Sequence, residues 1–177
     1  FLKFLKLRQN LSMAGNKISI CIAGKNQCAI DALKYLILKY KKNYNILALP
    51  NKNDKGNDTW QKSFKKFAIS KNIKIINLKK LYTIKNLYLF SIEYENILKI
   101  ENFNSSNLFN IHFSLLPKYK GCHTNFYQIY YGEKYSGVSL HKIDSGIDTG
   151  PLISQVSFEV PLNSTAYENY LKLKKYS

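Results

Sequence analysis

Strand-length apolar runs that alternate with helix-spaced segments constrain this chain more than any other feature. Lys17–Ala23 (KISICIA) is a β-branched run of strand length. It ends at Gly24-Lys25-Asn26, and Ala29, Ala32, Leu33, Leu36 and Ile37 then share one helical face over Ala29–Lys39. Asn45–Pro50, Ile73–Ile76 and Leu87–Ile92 read as further strands, separated by helix-like or polar connectors. One connector is an amphipathic helix expected after Thr59-Trp60-Gln61 and running to about Lys71. Strand, crossover, strand is the rhythm of a parallel sheet. The expected fold is therefore α/β, a Rossmann-like open, mostly parallel sheet with helices on both faces. Asn110–His112 ends another strand, Cys122–Asn125 opens a helix capped by Thr124 or Asn125, and Gly137–Lys142 and Leu152–Val160 are strands ahead of a helix at Thr165–Lys175.

With 177 residues the chain makes one domain with a core of its own. Its net charge of +16 is built from lysine, since Arg8 is the sole arginine. The lysines are dispersed among many Asn, Ile and Tyr, a set shared by AT-rich codons, whereas a nucleic-acid binder concentrates Arg and Lys on one face. No nucleic-acid partner is expected, although the positive field favours anionic substrates such as nucleotide diphosphates. Cys21, Cys28 and Cys122 are odd in number and lack metal spacing, so they read as reduced thiols of a cytosolic, cytoplasmic protein. His112, His123 and His141 likewise lack the spacing of a zinc site, and no metal is expected. No apolar run approaches the ~20 residues of a membrane span. Residues 1–12, ahead of Met13, are amphipathic and basic but lack a signal peptide's apolar centre. They are expected to be a disordered extension of a domain at 13–177.

The chemistry concentrates between Asn107 and Gly150. Asn110 and His112 are two apart at a strand end, so they project from one face. Ser114-Leu-Leu-Pro117 and Gly121 then form a rigid turn. In an open α/β sheet, ligands bind at that carboxyl edge. Asp148 follows in Asp144-Ser-Gly-Ile-Asp-Thr-Gly150, where two glycines let the loop approach another segment closely. An amide, an imidazole and a carboxylate suit acyl transfer, which makes an oxyanion and moves protons.

Those residues carry a family resemblance. Asn110-Ile-His112-x-Ser-Leu-Leu-Pro117-Lys-Tyr-x-Gly121, Gly137-Val-x-Leu-His141 and Asp144-x-Gly-x-Asp148-Thr-Gly150 together resemble the folate-dependent formyltransferases. The resemblance covers the central quarter of the chain closely and most of the rest loosely. It implies the formyltransferase fold, with 10-formyltetrahydrofolate as cosubstrate and Asn110, His112 and Asp148 as catalytic residues. By the same resemblance the loop Phe90, Ser91, Ile92, Glu93 and Tyr94 binds the pteridine through main-chain groups and an apolar wall, with Asp144 on the folate side. Any positive field would also suit the glutamate tail of folate.

Within the family, three substrates stand open. Glycinamide ribonucleotide enzymes carry a Gly-x-Gly-Ser-Asn turn where this chain has Gly24-Lys25-Asn26, which counts against that substrate. Gly121-Cys-His-Thr124 counts for it. The sequence ends at Ser177, before the added domain of methionyl-tRNA enzymes, which is expected to count against a tRNA substrate or else to mark a catalytic domain truncated at its C-terminus. The Gly-Lys-Asn turn and its Ala-rich helix resemble the nucleotide-sugar branch, and imply a dTDP-linked amino-deoxy sugar as partner. Lys25 and Asn26 then seat a phosphate at a helix N-terminus, or form a plain turn with a solvated lysine. Asp54, Lys55 and Trp60 are ligand candidates by the same resemblance. Trp60 stacks on a base or sugar, or anchors the helix start in the core. His123 and Thr124 are candidates on the substrate side, while His141, within its strand, reads as structural. A homodimer and a silent, folate-binding fragment are further readings.

The expected mechanism has a neutral amine attack the formyl carbon, while Asn110 and His112 donate hydrogen bonds to the tetrahedral oxygen. One such donor is worth ~2.7–4 kcal/mol of barrier. Asp148 favours the imidazolium or holds a proton-shuttling water.

Overall fold

The apolar runs assemble into one seven-stranded sheet of order β3-β2-β1-β4-β5-β6-β7. The computed structural model describes residues 17–177, and the expected extension at residues 1–12 lies outside them. In chain order the elements are β1 (Ser19–Gly24), α1 (Asn26–Tyr40), β2 (Asn45–Pro50), α2 (Phe64–Ser70), β3 (Lys74–Ile75), α3 (Leu78–Tyr82), β4 (Leu87–Ile92), β5 (Leu108–His112), α4 (Thr124–Tyr130), β6 (Tyr135–Lys142), β7 (Leu152–Glu159) and α5 (Ala166–Tyr176). The pairs from β3 through β5 are parallel, and β6 and β7 add antiparallel. This is the expected mostly parallel α/β sheet.

Alternation along the strands explains the layers. Ile20, Ile22, Ile46, Tyr88 and Phe109 point into one apolar layer with α1, α2 and α5. Cys21, Leu47, Leu87, Leu89 and Leu108 point into the other, closed by α3 and Leu98. Both faces of the central strands are thus buried, as their uninterrupted apolar runs require. Leu33, Phe64 and Leu81 are fully buried. Truncating one such side chain to alanine typically costs about 2–5 kcal/mol. β7 is one edge of the sheet, opposite β3, and is largely exposed.

Local signals account for the departures from expectation. α2 starts at Phe64, past Gln61, because Ser63 caps it by accepting from the Lys66 amide. Trp60 is 81% exposed, which overturns the reading of it as a core anchor. α3 forms inside the lysine-rich connector, capped by Asn77, while β3 shrinks to two residues. α5 opens with a reciprocal box between Thr165 and Glu168. α4 is preceded by His123 in a left-handed conformation, and Thr124 makes no cap, donating its hydroxyl instead to the Phe113 carbonyl.

Candidate active site

The sheet's carboxyl edge carries the site. Asn110 sits on β5 between Ser91 of β4 and His141 of β6, by register. Asn110 and His112 share a strand face, as their spacing predicts. The loop after β6 then folds back over them. Gly150 makes this possible: a Cβ there would lie 1.9 Å from the Lys142 carbonyl oxygen, so any larger residue would push the loop away. Asp144 shapes the same loop, its Oδ1 accepting from the Gly146 amide (3.1 Å) and the Thr149 hydroxyl (2.7 Å). Asp148 at the loop's tip adopts a left-handed backbone, φ 52°.

Four side chains converge as a result. The Asn110 amide donates to Asp148 Oδ1 (3.0 Å), and the Gly121 N–H donates to Oδ2 (2.8 Å). His112 Nδ1 lies 3.3 Å from Oδ2, and His141 Nε2 lies 3.3 Å from Oδ1. Each imidazole commits its other nitrogen to a main-chain carbonyl. His112 Nε2 donates to Tyr119 O (2.7 Å) and His141 Nδ1 to Lys142 O (2.7 Å). An imidazole so anchored can present a hydrogen to Asp148 only when it is cationic. In the neutral state His141 Nε2 accepts from the Asn110 amide, 3.2 Å away.

The electrostatics follow from burial. Burial pushes the His112 pKa below the usual histidine value, although the Tyr119 carbonyl and the Asp148 charge pull the other way. Burial alone would raise the Asp148 carboxyl, but His141, the Gly121 N–H and the charge on His112 outweigh it and hold the carboxyl below the ordinary range. At neutral pH the cluster therefore sets a carboxylate against the His112 imidazole, which readily gives up a proton.

A cavity of about 660 Å³ opens over this cluster. Lys25, Ser91, Glu93, Tyr94, His123 and Thr124 line it, alongside Asn110, His112 and Asp148. Leu98, Ile111, Ile143 and Ile147 supply an apolar wall. The expected folate loop is thus only partly on the cavity. The Phe90 and Ile92 side chains turn into the core, where Phe90 stacks on Phe109. A ligand could use only their main chain. Asp144 organises the Asp148 loop and does not line the cavity, nor do Asp54, Lys55 and Trp60. The Asp54 carboxylate is spent on Ser63, Gly56 and the Lys65 amide at the start of α2. Asn26 reaches the site indirectly, through Glu93.

His141 corrects the sequence reading, which left it structural. Its register opposite Asn110 comes from the antiparallel β5–β6 pairing, which spacing alone does not reveal. Asn51 was also missed. It is buried, donates to the Glu93 carbonyl (3.1 Å), and so ties the loop after β4 to the end of β2. Tyr170, from α5, donates to Glu93 Oε1 (3.0 Å) across a sequence distance no local pattern spans.

Residues 92–176 match the formyl transferase family model. Over those residues the chain carries that family's domain. It is 50% identical to the sugar 3N-formyl transferase WlaRD, solved with dTDP and 5-N-formyl-THF, over 92% of this chain and 59% of that one, with a TM-score of 0.87. An N-formyltransferase from Helicobacter canadensis, solved with folinic acid and dTDP-3-aminofucose, is 45% identical over 90% of this chain and 59% of its own, with a TM-score of 0.86. The methionyl-tRNA formyltransferase of Acetivibrio thermocellus is 31% identical over 169 residues, 87% of this chain. The chain spans 53% of that relative's length. Among the described residues no helix is long and apolar enough to cross a membrane, and no cluster of His, Cys, Asp and Glu is arranged to hold a metal ion.

Proposed function

We propose that this chain transfers the formyl group of 10-formyltetrahydrofolate to the amine of a dTDP-linked amino-deoxy sugar. The observation that carries the reading is the Asn110–His112–Asp148 cluster on the floor of the cavity, in a chain half-identical to a sugar 3N-formyl transferase. The folate fits the residues present. The apolar wall of Leu98, Ile111 and Ile147 suits a flat pteridine, and the turned backbone after Ser91 offers main-chain hydrogen bonds. The Lys25 ammonium, at the start of α1, suits the diphosphate. The free thiols Cys21, Cys28 and Cys122 suit the cytoplasm, where these cosubstrates are made and thiols stay reduced.

In the reaction the amine nitrogen bonds to the formyl carbon, the carbon–N10 bond breaks, and the amine proton leaves with the folate nitrogen. Asn110 offers a hydrogen bond to the developing oxyanion by exchanging its bond to His141 or Asp148 for one to that oxygen. His112, neutral at rest because of its burial, accepts a proton at Nδ1, and Asp148 stabilises the imidazolium. The Tyr119 carbonyl fixes which nitrogen is free to do so.

The test is a formyl-transfer assay that follows tetrahydrofolate release. It compares dTDP-amino sugars, glycinamide ribonucleotide and methionyl-tRNA, with His112→Ala as control. Turnover with dTDP-amino sugars alone, lost in the variant, is the expected result. Turnover with either other acceptor would replace the proposed substrate. Folate binding without turnover on any acceptor would mark a silent folate-binding chain.

A further inference from the structure

Across the carboxyl edge the register sets three residues in a row. Gly24 of β1 lies beside Ile92 of β4, and Ile92 beside Ile111 of β5. The following residues are Lys25, Glu93 and His112. With strands about 4.8 Å apart, Lys25 and His112 stand roughly 10 Å apart along the edge. Glu93 is between them. Gly24 keeps the two turns in contact, since a Cβ there would lie 2.0 Å from the Ile92 carbonyl oxygen.

Glu93 is held with unusual care for a loop residue. Its backbone is left-handed, φ 55°, a conformation that disfavours any side chain. Three separate elements nonetheless fix it. Asn26 of α1 donates to Oε2 (2.9 Å), Tyr170 of α5 donates to Oε1 (3.0 Å), and Asn51 after β2 donates to its carbonyl. Burial, and then the Glu93 charge, push the Tyr170 hydroxyl's pKa up, so it stays a donor at neutral pH. Among the described residues Glu93 makes no ion pair. A carboxylate has about four acceptor positions. Asn26 and Tyr170 use part of them, and Glu93 lines the cavity.

We propose that Glu93 reads the sugar: its carboxylate, clamped by Asn26 and Tyr170, accepts hydrogen bonds from hydroxyl or amino groups of a hexose whose phosphate sits at Lys25. This rests on the nucleotide-sugar reading above. A span of one strand on either side of Glu93 accommodates a hexose ring between its phosphate and the transfer centre. The clamp also gives direction. With Asn26 on Oε2 and Tyr170 on Oε1, the acceptor positions left over are those that a ligand's donors reach from the cavity.

The experiment is calorimetric titration of the whole chain with three probes: dTDP-3-aminofucose, dTDP and 5-formyltetrahydrofolate. Glu93→Gln keeps the shape and the Tyr170 bond but loses the charge. It is expected to leave dTDP and folate binding within about twofold and to weaken the amino-sugar nucleotide about tenfold or more. Tyr170→Phe, a mild variant, is expected to weaken the same probe about threefold to tenfold, and that probe alone. Equal loss for all three probes would make Glu93 a loop support and overturn the proposal. So would an unchanged preference for the amino sugar over dTDP in both variants. If the unmodified chain binds folate but neither nucleotide, the functional reading fails, and this one with it.

Discussion

The two halves of the sheet's carboxyl edge are built on opposite plans. On the β5–β6 side, Asn110, His112, His141 and Asp148 all meet within hydrogen-bonding or ion-pair range, and both histidines are buried. Nearly every polar hydrogen there is directed at a neighbour or a main-chain carbonyl. On the β1–β4 side, Lys25 and Glu93 face an open cavity, and their supports come from α1, α5 and the end of β2. Fixed dipoles in a water-poor setting are what a developing charge needs. Room and unspent acceptors are what a substrate needs. Under the proposed function, this difference gives chemistry to one half and recognition to the other.

The sharpest way to break that division is Asp148→Asn. The change keeps the shape but removes the charge that two imidazoles face. Activity, read as kcat/KM for formyl transfer, is expected to fall by about 10³–10⁴-fold, combining lost proton handling with lost electrostatic support. Binding of dTDP should hold within about twofold, because no recognition group is touched. Retention of more than a tenth of the activity would show that the cluster is not where the chemistry sits.

Gly150→Ala tests the same half through geometry. The new methyl meets the Lys142 carbonyl, so the loop must lift and carry Asp148 away from His112. A displacement near 1 Å at a reacting centre costs about 10²-fold in rate. The expected signature is a drop in kcat with folate binding retained. An unaltered kcat would mean that Asp148 can be held without the tight return.

These two halves were also unequally legible in the sequence. Asn110, His112 and Asp148 could be placed because strand parity fixes which residues share a face and glycines advertise a close-packed loop. His141 could not, because its partner depends on β6 running antiparallel to β5 after a run of parallel strands. On the recognition side, Lys25 stood out in a short βα turn. The Glu93 clamp is assembled from Asn26, Asn51 and Tyr170, up to 77 positions away, and no periodicity encodes such a meeting. Asp54 misled for the opposite reason. A carboxylate in a polar loop looks available until the helix it caps is seen.

The pH dependence sharpens the comparison at an intermediate scale. The folded-state pKa of His112 lies below its ordinary value of 6.5, so the neutral, proton-accepting form persists below that pH. The acid limb of kcat/KM is expected below 6.5, falling about tenfold per pH unit once beyond it. Stability carries the same sign. A depressed histidine pKa contributes stability that is present above about 6.5 and lost as pH falls toward the folded-state value, because the unfolded chain then binds the extra proton. The depressed Asp148 adds a second loss lower down, below its ordinary 3.8. Titration of dTDP binding over the same range should show no step at His112, since the recognition half does not contain it. A matching step in dTDP affinity would merge the two halves.

The smallest expected effect lies beyond the recognition half, at Asp54. Its carboxylate accepts from the Ser63 hydroxyl (2.5 Å), the Gly56 amide (3.0 Å) and the Lys65 amide (2.8 Å), so it ties the 51–63 loop to the first turn of α2. A negative charge beside exposed N–H groups at a helix start also interacts well with the helix dipole. Replacing it with alanine removes a cap and is expected to cost about 1–2 kcal/mol. For a chain of this size each kcal/mol lowers the melting temperature by about 2–4 °C. Both kcat and KM for a dTDP-amino sugar should stay within about twofold, because nothing Asp54 touches lines the cavity. The opposite pattern, an intact melting temperature with a tenfold rise in KM, would make the loop a ligand-binding element. Trp60, exposed on the same loop, would then be its natural stacking surface, and the recognition half would extend from β1 across to β2.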